Sequence, residues 1–118
     1  MCSGVLCTLP ARAQHSVHVS PSTVRWGYFA ADVKPVLTVK SGDTVAIDTI
    51  CGIPEMLERL GAEVDNPIRE MKEMYAKVKD HGPGPHFLTG PVAVDGAMPG
   101  DVLEVEIVDT RLRSLTAG

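Results

Sequence analysis

The chain has 118 residues, 44% of them apolar, with a net charge of −4 and a sequence pI of about 5.5. That length builds one domain with a modest core, and that apolar content excludes a disordered chain. With no lysine or arginine cluster and no apolar run near the ~18 residues of a membrane span, neither nucleic acid nor a membrane is an expected partner.

Residues 1–13, MCSGVLCTLPARA, are small and apolar and end in Ala11-Arg12-Ala13, the small-x-small pattern that signal peptidase cuts. No positive charge precedes the apolar stretch, and the stretch is short. It therefore reads as a signal-peptide remnant whose start lies upstream. Export to the periplasm or beyond is the expectation, with a cytoplasmic chain and an ordinary frayed terminus as the alternative. Cleavage after Ala13 removes Cys2 and Cys7 and leaves Cys51 alone, so no intrachain disulfide is expected. No histidine lies near Cys51 in sequence, and it reads as a small half-buried hydrophobe rather than a nucleophile.

Residues 16–29 suit strands: STVRWGYF mixes β-branched and aromatic side chains, with Gly27 as a bulge or bend. Residues 36–50 read as strand, turn, strand. Leu37, Val39, Val45 and Ile47 alternate with polar residues, and Ser41-Gly42-Asp43 supplies the turn. The period then changes. Pro54 opens a short helix that Gly61 stops; Asn66-Pro67 opens another, with Ile68, Met71, Met74, Tyr75 and Val78 at helical spacing. Residues 54–80 form one short helical insertion, and its methionine stripe covers one side of a sheet. Phe87 to Val94 is a strand, Pro99-Gly100-Asp101 a turn, and VLEVEIVD an alternating strand with Leu103, Val105 and Ile107 on one face. This last stretch repeats the design of residues 36–50. The expected fold is mainly β, a sandwich or jelly-roll-like pair of sheets with one helical excursion. The last residues, TRLRSLTAG, bring no finishing element, so residues 14–118 read as the front piece of a longer domain.

Among four histidines, His15 and His18 are expected in solvent or at a strand edge, and His81 at a helix C-terminus, beside the negative end of its dipole, with a metal shared with His86 as the weaker alternative. His86 follows Gly82-Pro83-Gly84-Pro85 and directly precedes a strand. The residues leave two readings of it. It is a ligand or base whose position is fixed before substrate arrives, or a histidine packed at a strand end. Asp43 and Asp101 follow glycines and cap their own turns; Asp95 sits beside Gly96. Asp48, on the polar phase of a strand, is the carboxylate to test as ligand or base, against a plain solvated aspartate. No phosphate loop, CxxC pair or nucleophile elbow is present.

WGYFAADVKPVLTVKSGDTVAIDTICG, followed by GPGPHFLTGPVAVDGAMPGDVLEVEIVD, resembles the N-terminal part of the acetamidase/formamidase family. The His-x-Leu-Thr-Gly-Pro-Val core at residues 86–92 is specific to that family, and Gly-Ala-x-Pro-Gly-Asp-Val at residues 96–102 strengthens the likeness. The resemblance implies a β-rich enzyme that hydrolyses short linear amides to a carboxylate and ammonia. It also implies a divalent metal ion, zinc for preference, and a homo-oligomer in full-length members. His86 stands at the motif histidine and inherits a catalytic and metal-ligating role; Asp48 is added on chemical grounds and matches no motif. The sequence departs from the family in two ways. Pro85 stands where a second glycine is expected. The Asp-rich and Gly-Asp-x-His-Ala stretches that supply further ligands are absent, so a chain inactive by itself, with exposed apolar sheet surface, is expected. Two alternatives come from other classes: a cupredoxin-like binding module, on LTVKSGDTVAID, and a purely structural sandwich domain.

Overall fold

The computed structural model describes residues 14–61 and 66–113; the leader-like residues 1–13 lie outside the described residues. The elements in chain order are β1 (Gln14–Val17), β2 (Val24–Trp26), β3 (Leu37–Val39), β4 (Thr44–Ile47), α1 (Pro54–Arg59), α2 (Asn66–Lys77), β5 (Phe87–Thr89) and β6 (Val92–Val94). The fold is mainly β, with the helical insertion between β4 and β5 where the change of period places it. That insertion is two helices, as the two sets of start signals imply, the first opened by Pro54 and the second closed at Lys77.

The strands pair as three two-stranded ladders: β1 with β4 and β3 with β6 in parallel, β2 with β5 antiparallel. Residues 36–50 are therefore not a self-paired hairpin. The turn forms as expected, with the Asp43 N–H donating to the Lys40 carbonyl at 3.1 Å and the Asp43 carboxylate accepting the Lys40 N–H at 3.0 Å. It passes the chain from the β3–β6 ladder to the β1–β4 ladder, as strands do at the corners of sandwiches. Alternation reports which faces are apolar; it does not say which neighbour takes the backbone hydrogen bonds.

Val24 of β2, Ile50, and Met71, Met74 and Val78 of the helical insertion make the buried cluster, with Trp26, Tyr75 and Phe87 packed against it. The methionine stripe thus covers the β2–β5 ladder. Residues 102–109, expected as a strand, pair with nothing among the described residues, and Val102, Leu103, Val105, Ile107 and Val108 are all exposed. Their alternation is real, but a strand is defined by its partner. Beyond them, Arg113 reaches back to Glu70 on α2, its Nη2 donating at 2.8 and 3.1 Å.

Candidate functional site

The Gly-Pro-Gly-Pro loop is built around Gly27. The Gly82 N–H donates to the Trp26 carbonyl at 2.8 Å, the Gly84 N–H to the Gly27 carbonyl at 2.9 Å, and the Gly27 N–H to the His86 carbonyl at 2.8 Å. The last bond extends the β2–β5 ladder by one step. Two backbones this close leave no room for side chains. A Cβ on Gly27 would stand 2.1 Å from the Gly84 carbonyl oxygen, and Cβ atoms on Gly82 and Gly84 would stand 2.7 and 2.8 Å from that of Gly27. Gly27 also holds φ at +76°, which favours glycine. The glycines at 82 and 84 supply the close approach; Pro83 and Pro85 lack an N–H and stiffen the positions between. Rings close the other side. Trp26 meets His81 at 4.1 Å between centroids, Tyr75 at 4.8 Å and Phe87 at 4.9 Å.

His81 is not a helix-terminal residue. α2 ends at Lys77, and His81 bridges to Trp26 beside β2. Proline and glycine after Asp80 end the insertion earlier than its polar tail implies.

His86 leaves this mesh exposed, with its Nδ1 4.0 Å from Cys51 Sγ. Cys51 is exposed too, not half-buried. The two are 35 residues apart, so only tertiary packing joins them, and no sequence spacing could have found the pair. Asp48 lies close to Cys51 in the chain but faces another way. Its Oδ2 is 2.8 Å from His18 Nδ1 and 4.0 Å from Arg113 Nη2. His15 makes the matching pair with Asp43 at 3.0 Å. Both histidine–aspartate pairs follow from the parallel β1–β4 register, His15 opposite Val45 and Val17 opposite Ile47, which the sequence does not reveal. No hydrogen bond or ion pair joins Asp48 to His86. Asp101 caps its turn as Asp43 does, its carboxylate accepting the Met98 N–H at 2.8 Å. Asp95 acts through its backbone, the N–H donating to the Val39 carbonyl.

Two hollows open nearby, and His86 lines neither. One, of about 410 Å³, is edged by Tyr28, Asp32, Asp80 and His81. The Tyr28 hydroxyl donates to the Asp80 carboxylate, and that bond pushes the phenol pKa above its ordinary value of 10.0. The other adjoins it and is mostly apolar.

The donor set does not fit a complete metal centre. A catalytic zinc takes three protein ligands. Among the described residues no group of three or more His, Cys, Asp or Glu side chains is placed to hold an ion, and His86 with Cys51 supplies two.

The sequence profile of the Acetamidase/Formamidase family matches residues 13–115. The chain belongs to this family. The match takes in every described strand and both helices, including the glycine mesh and His86. No curated protein matches the chain. No helix among the described residues is long and apolar enough to cross a membrane.

Proposed function

We propose that this family member takes part in hydrolysing short linear amides, with His86 as the proton-transfer group. The reading rests on one observation: the family's motif histidine emerges from a backbone mesh that fixes its approach and leaves its imidazole open to a small substrate. An amide nitrogen leaves only when protonated. An imidazole can take a proton from attacking water and return it to that nitrogen, contributing roughly 10²–10⁴-fold. The net change is amide plus water to carboxylate and ammonium. A side chain already fixed spends less ordering entropy in the transition state. Asp48, held by His18, is the second group we propose, as a base. The zinc ion that the resemblance implies would take His86 as one ligand and needs donors that the described residues do not supply.

We further propose that the chain works joined to additional polypeptide and in an oligomer. The exposed apolar run at 102–112 supports this reading, because contiguous apolar surface of this kind is ordinarily covered. Export is proposed from the small-x-small pattern ahead of residue 14, and N-terminal sequencing of the mature protein should then begin at Gln14.

The function is tested by grafting residues 14–113 in place of the matching span of an active family amidase. Carboxylate release is then followed from formamide, acetamide, an ester and a dipeptide. Turnover of the two simple amides alone is the expected result. A folded graft that hydrolyses neither amide would remove the reading.

A further inference from the structure

The second hollow, of about 420 Å³, is lined by the motif strand itself, through Leu88, Thr89 and Pro91, and by Phe29, Val33 and Arg25. Arg25 stands opposite Leu88 in the β2–β5 ladder, so the pairing that builds the motif strand also brings in the guanidinium. Its Nη1 donates to the Val24 carbonyl at 2.8 Å, which anchors the head group. No carboxylate among the described residues pairs with it, although two other arginines, Arg111 and Arg113, are paired with acids. An anchored guanidinium with no counter-ion among the described residues, beside apolar side chains, presents a fork of N–H donors to an incoming carboxylate. The adjoining hollow has the opposite character, with Asp32 and Asp80. The Tyr28 hydroxyl is committed to Asp80 on that side, which leaves the Arg25 side as the anion-attracting one. Phe29 also lines it and is 90% exposed, an apolar ring that an alkyl chain would cover.

We propose that this hollow binds a small aliphatic monocarboxylate, with the carboxylate on Arg25, assisted by the Thr89 hydroxyl, and the alkyl chain along Leu88, Val33 and Phe29. The size suits such a ligand, since small-molecule sites run from roughly 300 Å³ upward. The proposal does not rest on the amidase reading. Binding at Arg25 and turnover at His86 are read by separate measurements, and either can fail alone.

The test is a ¹H–¹⁵N NMR titration of the chain with butyrate, butyramide and butylammonium, in wild type, Arg25→Gln and Arg25→Lys. Saturable shifts at the Leu88 and Thr89 amides are expected with butyrate, with butyramide weaker by about tenfold or more, as a charge-assisted contact requires. Arg25→Gln should bring butyrate down to the butyramide level, and Arg25→Lys should keep part of the preference. Circular dichroism melts of each variant check that the fold is retained. The proposal is overturned by any of three results: no shifts with butyrate, equal binding of the charged and neutral ligands, or an Arg25→Gln variant within about twofold of wild type.

Discussion

Two stretches of this chain carry the same design, and among the described residues only one has a partner for its second strand. Residues 37–47 run strand, turn, strand, and residues 92–108 have the sequence to do the same. Both turns use a glycine at positive φ, Gly42 at +90° and Gly100 at +100°. In both, the following aspartate accepts a backbone N–H across the turn. Even the first strands match, since β3 and β6 lie side by side in parallel register. After the turn they diverge. β4 pairs with β1, while residues 102–109 pair with nothing among the described residues and hold their apolar side chains in solvent. The contrast separates two things that alternation merges. Local chemistry makes the turn; a neighbour makes the strand.

The contrast can be broken most forcefully at the glycines. Gly84→Ala drives a Cβ into the Gly27 carbonyl, whereas a Cβ on Gly100 meets nothing within 4 Å. In urea unfolding the first should cost about 3 kcal/mol, and the second about 1 kcal/mol for its φ alone. Similar losses at the two sites would mean that the mesh does not grip the loop. Next come the strands. Val39 is buried in the β3–β6 ladder and Val105 is exposed. Val39→Ala should lose about 2 kcal/mol and Val105→Ala close to nothing, by the same unfolding curves.

The turns should differ less. Asp43 caps its turn and also holds His15, while the Asp101 carboxylate bonds within its own turn. Asp43→Ala is expected to cost about 1–2 kcal/mol and Asp101→Ala about half of that. The smallest effect on stability, and a visible one on solution behaviour, belongs to Val105→Lys with Ile107→Lys. Melting temperature should hold, while concentration-dependent association seen by light scattering should fall. A wild-type chain that stays monodisperse at high concentration would contradict the reading of 102–112 as a surface that calls for cover.

Much of this was legible in the residues. Pro54, Gly61 and Asn66-Pro67 marked the helices because capping and proline geometry are local. The stripe of Met71, Met74 and Val78 declared its buried face because helical spacing alone makes it. Ser41-Gly42-Asp43 and Pro99-Gly100-Asp101 announced their turns for the same reason. His86 could be singled out, but its setting could not. The Gly27–Gly84 mesh and the Cys51 contact join positions far apart in the chain, and only packing creates them. The His18–Asp48 and His15–Asp43 pairs were hidden because a parallel register carries no short-range signal. The 102–109 stretch misled for the converse reason, since its pattern is that of a strand and nothing among the described residues pairs with it.

The central claim is that the imidazole at 86, delivered by the glycine mesh, moves the proton in amide cleavage. Steady-state ammonia release from formamide, measured for the grafted protein and its His86→Gln variant of equal melting temperature, tests it most directly. We expect kcat/KM to fall by about 100-fold or more, as the loss of a general acid–base group requires. A variant that retains activity within about threefold would contradict the account, because it would leave His86 as a side chain at the start of a strand and nothing more.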